Sequence, residues 1–196
     1  MHIKEGQWVI LMVNVVLLLA FTSFYFSKEN YEFLIYVGVI LFFILLIGLT
    51  NTRVQYSNGV LWGLTLWGFL HMAGGSFIVQ GKRLYEFILI PLSETYQILK
   101  FDQFVHIVGF CVATLVMYEL LHSALHTNHR TRGALAVVVA MAGLGVGAFN
   151  EIIEFLITVV VPQTGVGGYV NTSLDLVADL VGALIALGII WWRERG

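Results

Sequence analysis

Charge is what this chain has least of. Only 11% of its 196 residues are Asp, Glu, Lys or Arg, against 59% hydrophobic residues, and the mean hydropathy is +0.88. A single soluble core of this size cannot absorb so much apolar surface, so a water-soluble globule is excluded and a membrane protein is expected. Cysteine is nearly absent: Cys111 alone excludes an internal disulfide and any thiolate metal cluster within one chain, and it leaves the redox compartment unread. The formal charge of −2, with basic residues scattered along the chain, offers no patch that tracks a nucleic-acid backbone, so no nucleic-acid partner is expected. No internal repeat is visible either, because the acids fall almost wholly in the second half.

What is present is a series of apolar runs, at about 8–26, 32–50, 58–79, 102–124, 134–161 and 172–192, each long enough to cross a bilayer with some tilt. The expected fold is all-α: one polytopic integral membrane bundle of about six transmembrane helices, a single domain over 1–196, with the lipid bilayer as its surroundings. No small-residue cleavage site follows the first run, which reads as a retained span. The linkers are short and carry Asn, Gly, Pro or charge: Ser27 to Asn30, Asn51 to Arg53, His126 to Gly133, and Pro162 to Val170. Residues 80–101 hold Lys82, Arg83, an apolar stretch from Leu84 to Leu92 broken by Pro91, then Glu94 and Lys100; that stretch is too short to span, and the segment reads as interfacial or re-entrant between helices three and four. At Gly74-Gly75 the chain is expected to leave the third helix.

With both termini on one side, that side holds Lys4, Arg53, Arg130, Arg132, Arg193 and Arg195, against Lys28, Lys82, Arg83 and Lys100 opposite. The bias favours cytoplasmic termini in a plasma or cytoplasmic membrane. Trp191 and Trp192, followed by Arg193, suit an interfacial anchor there.

Against this apolar background the acids stand out. Asp102, Glu119, Glu151, Glu154, Asp175 and Asp179 lie in or at the ends of the last three spans, which hold no Lys or Arg. A carboxylate at mid-membrane costs roughly 2.5–3.5 kcal/mol on insertion scales, so such groups imply a cation, a proton or a watery cavity. Asp102 with His106, and Asp175 with Asp179, are i,i+4 pairs that each share a helix face and descend about 6 Å into the bilayer. Glu151 and Glu154 sit at the matching depth of span five, above Gly147, and His71 at the matching depth of span three. Small residues on the same stripes, Gly147, Gly182 and Ala186, let helices approach and turn the acids inward. Glu119 lies about 25 Å along the helix from Asp102, near the opposite end, where it forms a second polar set with His122 and His126.

Each signal also has a plainer reading. Asp102 suits a helix N-cap, Asn171-Thr172-Ser173 reads as capping rather than as a glycosylation sequon, and His71 and His106 taken singly suit packing. Glu119, His122 and His126 read as a hydrated rim. Glu151 with Glu154 resists such an account, because two carboxylates one turn apart in an apolar segment repel unless a proton or cation lies between them. Gly143 to Gly147 follows no strand and reads as helix packing, not a nucleotide loop. No zincin helix and no Ser- or Cys-based triad can be assembled.

Taken in order, His71-Met72-Ala73-Gly74-Gly75, Asp102 to His106, Glu119, Asn150-Glu151 to Glu154, Thr172 to Asp175, and Gly182 resemble the YjdF-like inner-membrane family and, more distantly, VanZ-like membrane proteins. The resemblance covers about 58–190. It implies a polytopic membrane protein, with VanZ-like members linked to glycopeptide resistance, and it carries no biochemical activity. The chain departs from the pattern in lacking tryptophans beside the last acid motif and in having Asp179 where Asn is common.

The expectation is an outward-facing pocket in which His71, Asp102, His106, Glu151, Glu154, Asp175 and Asp179 hold a divalent cation, Mg²⁺, Mn²⁺ or Zn²⁺. Glu151, Glu154 and Asp175 are the candidate catalytic groups, acting on a lipid-linked or phosphate-bearing substrate. The alternatives are a proton- or metal-ion-coupled transporter and a non-catalytic scaffold whose acids only fix helix packing.

Overall fold

Nearly uniform apolarity with few breakers favours long helices, and the computed structural model, which describes residues 4–93, 95–124, 132–161 and 168–195, has six of them among those residues. They are α1 (Gln7–Ser27), α2 (Tyr31–Val54), α3 (Asn58–Ser76), α4 (Phe101–Ala124), α5 (Arg132–Val160) and α6 (Tyr169–Arg193). Glu94, His126 and Arg130, and most of the linker that begins at Pro162, lie outside the described residues. Five of the six helices are long and apolar enough to cross a membrane; α3, at 19 residues, is not among them, because its glycines, Asn58 and His71 dilute its hydropathy. The chain is an all-α integral membrane protein. By packing it divides into two compact units, Met1–Leu84 and Tyr85–Gly196.

In the first unit α2 and α3 each start at a side-chain cap. Asn30 accepts from the Phe33 N–H at the start of α2, and Ser57 from the Val60 N–H at the start of α3, each at 3.3 Å. Gln55 adopts φ 58° to close α2, and the Asn51 side chain holds the next amide, Tyr56, at 2.9 Å. Helix α1 packs against both α3 and α2. The expected exit at Gly74-Gly75 is corrected: α3 continues to Ser76, and both glycines are buried within it. A Cβ on Gly75 would lie 1.9 Å from Phe33 Cε1, so glycine here admits the α2 aromatic ring. Beyond α3, β1 (Ile78–Val79) and β2 (Lys82–Arg83) form a short antiparallel ribbon, turned by Gln80 and Gly81 at φ 52° and 80°.

Glu32, buried at the start of α2, is paired with Arg83 at 2.9 Å, and the same guanidinium lies 5.6 Å from the Phe33 ring centroid. Tyr25 is fully buried and donates to Met72 O at 2.5 Å, tying α1 to α3.

The second unit is a three-helix packing in which α4 and α6 are the most closely associated pair. Their approach depends on Gly182: a Cβ there would stand 2.4 Å from Ile107 O and 2.8 Å from Cys111 N. Helix α5 closes on the same pair through Gly143, packed on Thr114, and Gly147, packed on Asp179. Small residues therefore lie where backbones meet, as membrane helices require when no hydrophobic effect drives them together. The segment before α4 is held by backbone bonds from Leu89 N to Leu99 O, 2.9 Å, and from Phe101 N to Phe87 O, 2.8 Å.

Candidate Asp/Glu/His site in the second unit

Six ionisable side chains from α4, α5 and α6 gather inside this unit. The first turn of α4 is capped by Gln103, whose Oε1 accepts from Lys100 N at 2.7 Å, so the expected capping role of Asp102 falls to its neighbour. Asp102 is thereby free to point along the face it shares with His106. At α6 the cap is Gly168, at φ 92°, and Asn171, Thr172 and Ser173 lie inside the helix rather than capping it. Asn171 instead donates to Asp175 Oδ2 at 2.5 Å. On α5, Asn150 donates to Glu154 Oε1 at 2.9 Å. The same device thus occurs twice: an Asn one helical turn before an acid clamps one carboxylate oxygen and leaves the other for a different partner.

His106 is the centre. Its Nδ1 is 2.8 Å from Asp179 Oδ1, linking α4 to α6, with Asp179 fully buried. Ligating atoms of Asp102, His106 and Asp175 all lie within 4.8 Å of one another, and so do those of His106, Glu151 and Glu154. Asp175 is also fully enclosed, and Glu151 and Glu154 are buried. Both oxygens of Glu151, Oδ1 of Asp175 and Oδ2 of Asp179 accept no hydrogen bond among the described residues. Buried carboxylate oxygens without donors are costly, and a bound cation satisfies several at once.

Among the residues singled out from sequence, Asp102, His106, Glu151, Glu154, Asp175 and Asp179 all come from this unit, and the structure brings them together. His71 belongs to the first unit, where its half-buried ring packs against Tyr36 at 5.0 Å and Trp67 at 5.6 Å between centroids. Asp179 is not equivalent to the other carboxylates, because its Oδ1 is committed to His106 and its Oδ2 faces the surface left by Gly147. Sequence reasoning missed the clamping roles of Asn150 and Asn171; the Asn-to-acid spacing of four residues was the available signal.

At the opposite end of these helices Tyr118 donates to Glu194 Oε1 at 2.9 Å and stacks on His122, 5.6 Å between centroids, while Arg132 Nε lies 3.6 Å from Glu194 Oε2. The half-buried Glu119 and exposed His122 belong to this rim; the third expected member, His126, is outside the described residues.

The chain matches the family described as "Predicted membrane protein (DUF2238)" over residues 8–196. This is the YjdF-like family of the resemblance; kinship with VanZ-like proteins finds no support in the comparisons. No curated protein and no solved structure matches the chain.

Proposed function

For a chain that belongs to the DUF2238 family of predicted membrane proteins, a membership that carries no activity, we propose a membrane-embedded divalent-cation site that acts on a phosphate-bearing, lipid-linked substrate. The observation that supports this most directly is the double set of ligating atoms around His106, with buried carboxylate oxygens that accept no well-formed hydrogen bond among the described residues. Oxygen-rich donors with one imidazole suit Mg²⁺, Mn²⁺ or Zn²⁺.

Depth supports the substrate class. Asp175 lies six residues inside the start of α6 and Glu154 six residues before the end of α5, about 9 Å from either helix end, and Asp102 is in the first turn of α4. The cluster is therefore near lipid headgroup level, on the side away from Trp191 and Trp192, and the bias of basic residues makes that the outer side. A bound divalent cation would supply Lewis acidity toward a phosphoryl oxygen, with His106, Glu151, Glu154, Asp102 and Asp175 as the residues that would hold it.

The test is metal analysis of the protein purified in detergent. Stoichiometric Mg, Mn or Zn, with a melting temperature that falls on chelation and recovers on re-addition, is the expected result. Absence of any stoichiometric or rebinding divalent cation overturns the reading.

A further inference from the structure

We infer that the cluster is built for two divalent cations side by side, not one, a conclusion that rests on the cation-site reading above. The two sets of ligating atoms, Asp102–His106–Asp175 and His106–Glu151–Glu154, share only the imidazole. Each set contains one carboxylate clamped by an asparagine one turn earlier: Asp175 by Asn171 on α6, and Glu154 by Asn150 on α5. Each also has its own buried, unpartnered oxygen, Oδ1 of Asp175 in one and both oxygens of Glu151 in the other. A cation held by one set takes the imidazole and leaves the two carboxylates of the other to a second cation.

Charge leads to the same count. Asp102, Glu151, Glu154, Asp175 and Asp179 are five carboxylates, α4 contains no Lys or Arg, and the arginines of α5 and α6, Arg132 and Arg193, are at the far ends of those helices. With all five ionised, a single divalent cation leaves most of this charge in a low-dielectric interior; two leave about one negative charge, within reach of Lys100, the residue before α4.

His106 cannot bridge the ions, because Nδ1 is engaged by Asp179 and only Nε2 remains. Among the side chains of the cluster, a carboxylate is the group able to bridge them. Glu151, with two unpartnered oxygens, is the side chain equipped to span ions about 3.5–4 Å apart. Such a pair is suited to stabilising both the attacking and the leaving oxygen in displacement at phosphorus, which narrows the substrate to a phosphate ester or anhydride.

Chelator-stripped full-length protein in detergent is titrated with Mn²⁺, and bound metal is counted by equilibrium dialysis and mass spectrometry, with electron paramagnetic resonance of the loaded sample. Two Mn²⁺ per chain with an exchange-coupled signal is the expected result, falling to one uncoupled Mn²⁺ in Asp175→Ala and in Glu154→Ala, with helical content checked by circular dichroism. One Mn²⁺ per chain, uncoupled in the unaltered protein, overturns the pair while leaving a cation site standing. No bound Mn²⁺ overturns both. The count and the signal of the unaltered protein decide the matter even where a variant fails to fold.

Discussion

His106 on α4 and Asp179 on α6 meet at 2.8 Å, Nδ1 to Oδ1, with Asp179 fully enclosed and His106 buried. An acceptor at Nδ1 fixes the imidazole with its Nε2 lone pair outward, the arrangement by which a carboxylate orients and strengthens a histidine ligand. On the proposed cation reading, Asp179 is placed to act through His106. Asp179→Asn preserves shape but removes the charge, and is expected to weaken Mn²⁺ binding about 10- to 100-fold, as second-sphere changes do. Calorimetric titration beside a circular-dichroism spectrum checks this; unchanged affinity in a folded variant refutes the orienting role.

Gly147 makes that pairing possible. A Cβ at this position would lie 2.2 Å from Asp179 Oδ2 and 3.1 Å from its Cβ, and Asp179 cannot retreat without leaving His106. Gly147→Ala is expected to cost about 1–3 kcal/mol by overpacking and to lower cation affinity with it. Gly145→Ala, two residues away and with nothing within 4 Å, is the matched control and should stay within about 0.5 kcal/mol. Thermal unfolding of both variants in the same detergent makes the comparison.

In the first unit, Arg83 is the guanidinium partner of the buried Glu32. Removing it in Arg83→Ala takes away a charge-assisted hydrogen bond and the contact with the Phe33 ring, an expected loss of about 1.5–3 kcal/mol. Combining it with Glu32→Gln should recover part of that loss, since the buried charge is then gone. A double-mutant cycle on melting temperatures reads the coupling, and strict additivity would count against the pair.

The rim of Tyr118, Glu119, His122 and Glu194 is a separate structure. Seventeen residues of α4 separate Asp102 from Glu119, about 25 Å of helix. Tyr118→Phe and Glu119→Gln should leave Mn²⁺ stoichiometry unchanged. In proteoliposomes no divalent-cation flux is expected from the unaltered protein; flux abolished by both Glu151→Gln and Glu119→Gln would favour a conduction path joining the two ends, and would remove the enzymatic reading.

Much of the candidate site was visible in the sequence because charge is so scarce there. Asp102 with His106 and Asp175 with Asp179 lie on shared faces whatever the tertiary arrangement, since the spacing of four residues decides it. Glu32 escaped notice because it opens α2 beside Tyr31, where an acid looks like an ordinary helix-end residue; its burial depends on Arg83, 51 residues away. Gly74-Gly75 resembled a helix exit because glycine is a weak helix former, and only the Phe33 ring against Gly75 explains its retention inside α3. Gln103 displaced Asp102 as the capping side chain because its longer stem reaches back to Lys100 N while remaining buried.

By itself the sequence determined the membrane location, the helices and the faces on which acids travel together, because hydropathy and helical period are local properties of the chain. Which carboxylates meet, which oxygens lack a hydrogen bond and which acid pairs with the histidine were decided only by tertiary structure. In helices apolar on nearly every side, burial hardly distinguishes one rotation from another. The close approaches at Gly143, Gly147 and Gly182 set how α4, α5 and α6 turn toward one another, and with that what each acid faces.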